Sequence, residues 1–203
     1  MKLFILLLSF CCLAVALQES QIQEQWLSFK SKYGKKYRNA LEDTQRFVNF
    51  KKNLFKIKQH NQRYEQGLES YEMSLNAFSD MDLKEMQRTY MGLKMPKNSQ
   101  ELLQNATLYQ APLKQRFSLP SHVDWRDRGA ITPVKNQKAC GSCWAFASVA
   151  ALEAHYYLKY QDTVFLSEQN LVDCVTENWG CDGGWMIPSF LYVQSNTGIN
   201  YES

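Results

Sequence analysis

Apolar side chains recur with a helical period through the first half of the chain. Between residues 20 and 36 they are spaced by four, three and four positions, which predicts an amphipathic helix that Gly34 ends. A second stripe, from about Leu41 to Tyr64, predicts a longer helix that stops before Gly67. The stripe residues are Ile22, Trp26, Phe29, Tyr33, Phe47, Phe50, Leu54, Ile57, Asn61 and Tyr64.

The pattern changes after the second helix. Apolar and polar residues alternate over 71–75, which predicts a short strand. A helical pattern returns over 82–90 and predicts a third, short helix. From 91 to 118 the periodicity is lost and Pro96 and Pro112 interrupt the chain, which predicts an extended linker.

The second half predicts three further helices around a tight turn. The first is rich in small and apolar residues and reads as a buried central helix. The second has Ser167 as its N-terminal cap. The turn at Cys181-Asp182-Gly183-Gly184 precedes the third. The predicted bounds are 142 or 143 to about 159, 168–173 and 185–195.

The first 16 residues predict a secretory signal peptide. Lys2 precedes an apolar run, and Ala14-Val15-Ala16 is a small-residue cleavage site. The alternative is a membrane anchor, but the run is shorter than the ~20 residues that a span needs. We therefore expect no membrane association and a place in the secretory pathway, lysosomal or extracellular. The glycosylation sequon at Asn105 fits an exposed segment there.

Charge is distributed unevenly along the chain. Residues 119–203 carry five basic and nine acidic side chains, whereas residues 1–118 carry eighteen basic and eleven acidic ones. Halves of opposite net charge can attract each other. Nucleic-acid binding by the basic half is the alternative. Its charges are mixed and the chain is expected to be secreted, so we expect no nucleic-acid partner.

The candidate chemistry lies in Cys-Gly-Ser-Cys-Trp, residues 140–144. Cys143 opens an apolar helix, whose N-terminus favours negative charge, and the thiolate is the nucleophilic form of cysteine. The same residues form a C-x-x-C, but a thiol–disulfide oxidoreductase would have a strand before it, and here a polar turn precedes. A zinc site would want a second C-x-x-C, whereas Cys174 and Cys181 are seven apart. A buried structural thiol is the remaining alternative.

Two sets of motifs resemble one protease family. Residues 140–144 match the nucleophile motif of papain-family cysteine proteases, C-G-[SA]-C-[WY], at every position. The second predicted helix resembles cathepsin L-like prosegments, since six residues match the ERFNIN pattern position for position. The G-x-N-x-F-x-D motif of those prosegments matches at three positions, with Ser74 at the glycine. The matching residues are Glu42, Arg46, Phe50, Asn53, Ile57 and Asn61, then Asn76, Phe78 and Asp80.

The resemblance implies a fold and a domain order. The fold is α+β: a helical prosegment, then the mainly helical first lobe of a papain-like two-lobe domain, with the β-rich second lobe largely absent. The inhibitory prosegment would span 17–118, with a helical module over about 20–90 and the linker over 91–118. Residues 119–203 would be the N-terminal part of the peptidase domain. The prosegment would dock in the cleft of the peptidase domain, and its linker would run through that cleft in the direction opposite to a substrate.

The resemblance also implies roles for residues of the second half. It makes Cys143 the nucleophile, and the Gln137 side chain and the Cys143 backbone N–H the oxyanion donors. Two glycines would let a substrate backbone pair as a strand, and two further residues would border an apolar subsite, helix core being their alternative role. These are Gly183 and Gly184, then Trp185 and Met186. Cys140 would pair with Cys181, leaving Cys174 with a missing partner.

The resemblance does not identify a histidine of this chain as the general base. Family histidine and asparagine partners follow the cysteine by about 130–150 residues, but only 60 residues follow Cys143. We therefore expect a monomeric precursor of an endopeptidase acting on proteins or peptides, without cofactor or metal, in which this chain has little or no activity. A prosegment-type inhibitor or folding aid for cathepsin L-like proteases is the alternative, and an incomplete sequence is a third reading.

Overall fold

The computed structural model describes residues 18–97 and 120–202. The expected signal peptide, the sequon at Asn105 and most of the linker therefore lie outside the described residues. The chain divides into two compact units, residues 1–83 and 84–203. The boundary falls inside the third predicted helix, so residues 84–97 belong to the same unit as Cys143.

The first unit contains two helices around an aromatic core. Helix α1 covers 18–32, and helix α2 covers Ala40–Glu65. The chain leaves α1 through Gly34, which has the left-handed φ of +60° that glycine adopts without strain. Asn39 caps α2, because its side chain accepts a hydrogen bond from the Glu42 N–H. The buried core residues are Trp26, Phe29, Phe50 and Leu54.

The strand predicted over 71–75 is wrong, because no strand is assigned there. The backbone of Met73 is instead paired with a side chain of α2. Its N–H donates to Asn61 Oδ1 at 2.9 Å, and its carbonyl accepts from Asn61 Nδ2 at 2.8 Å. The Asn61 carboxamide thus takes the place of a strand partner, and 71–75 follows α2 as an extended segment.

The second unit holds four α-helices and a short 3₁₀ helix within its described residues. The central helix, α4, packs against α5 and α6. Its buried side chains share one core with Leu171 and Val175. The bounds are α3 Leu83–Tyr90, α4 Cys143–Tyr160, α5 Glu168–Cys174, the 3₁₀ helix Gly180–Asp182, and α6 Met186–Ser195. Pro188 is the third residue of α6, where its missing N–H costs no helical hydrogen bond.

The mainly helical architecture predicted from the sequence is confirmed. Pairing between extended segments in the described ranges is confined to two isolated bridges. Leu93 pairs with Gly184 in parallel, and Leu166 pairs with Tyr201 in antiparallel orientation. None of the helices in those ranges combines the length and the apolar character needed to cross a bilayer.

A charged cluster, here called the Lys135 cluster, ties four parts of the second unit together. The Lys135 ammonium lies 3.1 Å from Glu153 of α4, 2.8 Å from Glu168 of α5 and 3.1 Å from Glu202. Glu153 is 2% exposed and also accepts from Thr132 Oγ1 and the Leu166 N–H. Burying a carboxylate is costly unless it is paired and hydrogen-bonded, and these partners offset that cost.

Candidate active site

Cys143 is the first residue of α4. The first N–H groups of a helix have no intrahelical partner, so the thiol lies where the helix offers partial positive charge. The next residue fixes this position, because Trp144 is fully buried and its indole Nε1–H donates to Gly180 O at 3.1 Å. The thiol is free and half-buried. The helix start thus presents an unpaired cysteine at the edge of the core.

A disulfide connects this helix start to the 3₁₀ helix. Cys140 is bonded to Cys181, 41 residues later, and the Gly141 N–H donates to Cys181 O at 2.8 Å. A C-x-x-C redox pair would instead join Cys140 to Cys143. Cys174 is free and exposed, and its sulfur accepts from Asn170 Nδ2 at 3.4 Å.

The Gln137 carboxamide lies between the loop that carries Cys140 and residues 90–94, here called the 90–94 segment. Its Nε2 group donates to Cys140 O at 2.7 Å and to Tyr90 O at 2.9 Å. The first bond holds the side chain against the loop before Cys143. The second gives one N–H to a peptide carbonyl. A preorganised donor of this kind is what a developing oxyanion requires, and the oxyanion role remains a prediction.

The two glycines of the turn form a backbone edge beside the site. The Gly184 N–H donates to Gly92 O at 2.8 Å, and Gly184 O accepts from the Lys94 N–H at 3.0 Å. A Cβ on Gly183 would lie 2.5 Å from Gly92 O, so the close approach requires glycine. The edge therefore already pairs with residues 92–94 of the 90–94 segment, in parallel register.

Trp185 and Met186 follow this edge at the start of α6. Met186 packs against the core that contains Trp144 and Leu171, which is the helix-core alternative stated above. Trp185 is half-buried, and its indole Nε1 has no hydrogen-bond partner among the described residues. A subsite role for either residue remains a prediction.

Each of the three histidines has surroundings of its own. His60 Nε2 lies 2.8 Å from Tyr71 O in the first unit. His122 lies beside Asp124 and Asp127. His155 is twelve residues after Cys143 on α4, which is roughly 18 Å at the helical rise. In the part of the chain that the structure describes, no histidine is hydrogen-bonded to the Cys143 thiol.

The first-unit motif residues hold the segment after α2 onto that helix. Asn53 Nδ2 donates to Ser79 O at 2.9 Å and to Met81 O at 3.0 Å, and Asn61 pairs with Met73 as described above. Phe50 is fully buried, while Ile57 is half-buried. Asn53 and Asn61 thus bind backbone groups of a segment that follows them by 12 to 28 residues.

The remaining motif residues take part in three local groups of contacts. The Glu42 carboxylate lies 3.7 Å from the Arg46 guanidinium. It also accepts hydrogen bonds from the backbone and side chain of Arg38, and these bonds lower the pKa of Glu42. Asn76 Oδ1 accepts from the Phe78 N–H at 2.9 Å. Asp80 is buried, and its carboxylate accepts from Lys35 Nζ and Tyr37 Oη, each at 2.9 Å.

Within residues 18–97 and 120–202, one group of side chains has the composition of a metal site. His122, Asp124 and Asp127 bring ligand atoms within 4.8 Å of one another. Arg126 donates to both carboxylate oxygens of Asp124, and these hydrogen bonds lower the pKa of that carboxyl group. The Arg126 guanidinium therefore already balances the charge of Asp124, the least exposed of the three side chains.

The sequence did not predict several of these residues. No motif marks Lys35 and Tyr37, the partners of Asp80, or Lys135, the centre of a cluster. The same holds for Asn178, whose side chain is hydrogen-bonded to the backbone of Trp185. Asn178 lies just before a glycine-rich turn, where asparagine commonly bonds backbone groups, and that position was its one available signal.

The second unit brings together a free cysteine at a helix start, a carboxamide donor and a glycine edge that pairs with an extended segment of the same chain. Residues 119–203 match the papain family cysteine protease model, and residues 26–86 match the cathepsin propeptide inhibitor domain. The chain belongs to the papain family of cysteine proteases, with a cathepsin-type propeptide domain before the peptidase region.

Individual relatives agree with this assignment. The chain is 41% identical to cathepsin K of Mus musculus over 184 residues, covering 91% of the chain and 55% of the relative. It is 38% identical to digestive cysteine proteinase 2 of Homarus americanus, covering the whole chain and 60% of the relative. The chain thus spans a little more than half the length of these relatives.

Solved precursor structures share the fold. Digestive procathepsin L2 from the larval midgut of Tenebrio molitor has a TM-score of 0.80 at 40% identity, covering 89% of this chain and 58% of that one. The recombinant stem bromelain precursor has a TM-score of 0.77 at 33% identity, covering 89% and 55%.

Proposed function

We propose that this chain is the precursor form of a cysteine endopeptidase in which Cys143 is the nucleophile. The observation that carries the proposal is the free Cys143 thiol at the start of α4. It is flanked by a glycine edge that already pairs with an extended peptide. Substrates would be proteins or peptides bound in the same extended form.

The reaction would begin with loss of the thiol proton to a histidine. The Cys143 thiolate would then attack the peptide carbonyl carbon, and the carbonyl oxygen would gain the negative charge. Gln137 Nε2 and the Cys143 N–H would stabilise that oxyanion. Collapse would break the C–N bond as the histidine returns the proton to the amine, which leaves an acyl-enzyme, and water would then hydrolyse the thioester and free the Cys143 sulfur. Because His155 is too far along α4 to take the proton, we expect this chain by itself to hydrolyse little or no peptide.

The 90–94 segment supports the precursor assignment. Its Tyr90 carbonyl accepts a hydrogen bond from Gln137 Nε2. Its residues 92 and 94 are hydrogen-bonded to the backbone of Gly184. Both groups that a substrate would use are therefore occupied by the chain itself. We infer that residues before the peptidase region act as an inhibitory prosegment docked in the cleft, and that the chain enters the secretory pathway for a lysosomal or extracellular destination.

The test is a hybrid protein. The chain is joined to the portion of mouse cathepsin K that lies beyond the aligned region, and hydrolysis of a fluorogenic peptide is measured after processing at acid pH. We expect hydrolysis that Cys143→Ser abolishes and that Gln169→Ala, at an exposed position of α5, leaves in place. A folded hybrid without activity, or with activity that survives Cys143→Ser, would contradict the proposal.

A second candidate function, inhibition in trans, is favoured by the same pairing. A polypeptide of residues 17–118, added to the processed hybrid peptidase, should inhibit at neutral pH. Inhibition should weaken as the pH falls, because acid neutralises carboxylates of the acidic peptidase half and reduces their attraction for the basic prosegment. The matched control is Gly92→Val, which cannot make the close backbone contact. Absence of inhibition at neutral pH would count against this function.

A further inference from the structure

Asn178 closes the turn that carries the glycine edge. Its Nδ2 donates to Trp185 O at 3.0 Å, and its Oδ1 accepts from the Trp185 N–H at 2.9 Å. The side chain thus pairs with both backbone groups of one residue, as a neighbouring strand would. Asn178 is 7% exposed. A carboxamide buried to this extent keeps its orientation, because each lost hydrogen bond would leave an unsatisfied polar group.

The direction of these bonds determines where the backbone groups of the preceding residue, Gly184, point. Trp185 is extended, with φ −133° and ψ 151°. In an extended strand, the N–H and C=O groups of successive residues point to opposite edges. Asn178 is hydrogen-bonded to the N–H and C=O groups of Trp185 on one edge. The N–H and C=O groups of Gly184 therefore point to the opposite edge. That edge is the one bonded to Gly92 and Lys94.

Close packing adds a second constraint on the same glycine. A Cβ built on Gly184 would lie 2.5 Å from Asn178 Cγ and 2.7 Å from its Oδ1. The carboxamide therefore lies directly against Gly184, which cannot shift towards Asn178. The hydrogen bonds fix the direction in which the backbone groups of residues 184–185 point. The contact with Gly184 fixes how closely that backbone lies to Asn178.

We infer that Asn178 is a positioning residue for the peptide-binding edge. It acts through Trp185 to hold the Gly184 N–H and C=O in register for an added strand, whether the 90–94 segment or a substrate. For the substrate, this inference rests on the proposed endopeptidase function. For the 90–94 segment it stands on the described contacts alone.

The rest of the turn has other anchors, so loss of Asn178 should act locally. The Cys140–Cys181 disulfide, the Trp144 bond to Gly180 O and the Trp179 N–H bond to Gly183 O at 2.9 Å all remain without it. An effect confined to the edge therefore separates positioning from general stabilisation.

The test measures amide hydrogen exchange by NMR on the full chain and needs no peptidase activity. Asn178→Leu keeps the approximate size and removes both hydrogen bonds. We expect exchange of the Gly184 and Lys94 amides to accelerate roughly tenfold or more, with the α4 amides of Val149 and Leu152 unchanged. Asn178→Asp keeps the acceptor for the Trp185 N–H and should restore part of the protection. The control is Asn196→Leu, at the exposed end of α6.

Each outcome decides the inference. Unchanged protection of the Gly184 and Lys94 amides in Asn178→Leu would overturn it, as would an equal loss across α4, which indicates a merely structural role. If Asn178→Leu does not fold, Asn178→Asp decides by the same two amides. If the hybrid peptidase proves inactive while the predicted exchange pattern is found, the proposed function fails and the inference holds for the chain's own segment.

Discussion

Gly92 and Gly141 meet backbone to backbone, and a Cβ atom on Gly92 would overlap the carbonyl group of Gly141. Gly141 in turn is bonded through its N–H to Cys181 O and stands two residues before Cys143. The 90–94 segment can pass this close to the nucleophile loop only because neither residue carries a side chain.

Gly92→Ala should therefore release the segment from the site. The added methyl group cannot be accommodated by a rotamer change, because backbone atoms surround it. We expect alkylation of Cys143 by iodoacetamide to accelerate by about tenfold or more, measured by mass spectrometry. The exposed Cys174 thiol serves as the internal reference.

Leu93→Ala is the matched control for this variant. The Leu93 side chain is 60% exposed, and its truncation leaves the Gly184 hydrogen bonds to residues 92 and 94 in place. Equal alkylation rates in the wild type and Gly92→Ala would show that the segment does not restrict access to Cys143.

Gln137→Ala should lower the turnover of the hybrid peptidase. The Nε2 group that donates to Tyr90 O is the candidate oxyanion donor, and loss of one such donor typically costs about 10²–10³ in kcat. KM should change little, since the donor acts mainly on the charge of the transition state. Gln169→Ala removes an exposed carboxamide bonded to Asp173 and should leave kcat unchanged. A normal kcat in Gln137→Ala would remove Gln137 from the mechanism.

The helices could be predicted from the sequence because their determinants are local. Periodic apolar positions predicted α2 and α4 to within one or two residues, and Ser167 accepts the Asn170 N–H as a cap should. The strand over 71–75 failed for a non-local reason. An alternating pattern shows that a segment is extended, but not that a side chain from α2 will be its partner.

The site could be predicted only in part, for the same reason. The motif marked the nucleophile region, whereas the surroundings of Gly184 depend on contacts from distant parts of the chain. Gly92 lies more than 90 residues before it and Asn178 lies on the far side of the turn. The Lys135 cluster likewise joins residues 18 to 67 positions apart, which no short pattern encodes.

Lys135→Met should destabilise the second unit. Burial alone would lower the pKa of Lys135, but its hydrogen bonds with Glu168, Glu153 and Glu202 outweigh burial and raise that pKa above the usual range. Removal of the ammonium leaves Glu153 buried without its cation, which costs about 3–5 kcal/mol, measured by urea unfolding. The double variant Lys135→Met, Glu153→Leu should recover part of this loss, and Lys159→Met should cost little, as it lies at the exposed end of α4. A loss below about 1 kcal/mol in Lys135→Met would show that the cluster is solvated like a surface pair.

Tyr37 should make the first unit sensitive to alkaline pH. Burial, and then the hydrogen bond to the buried Asp80 carboxylate, raise the pKa of Tyr37 well above its ordinary value of about 10. The folded state therefore keeps the phenol proton at pH values where the unfolded chain loses it. This contribution to stability is complete below about pH 10 and is lost as the pH rises towards the folded pKa.

The thermal midpoint of the helical circular dichroism signal should fall steeply from pH 9.5 to 11. Tyr37→Phe lowers stability at pH 8, because it breaks the bond to Asp80, but should give a shallower fall over the same range. Tyr64→Phe, which changes an exposed phenol on α2, should retain the wild-type slope, and a wild-type slope in Tyr37→Phe would exclude Tyr37 as the titrating group.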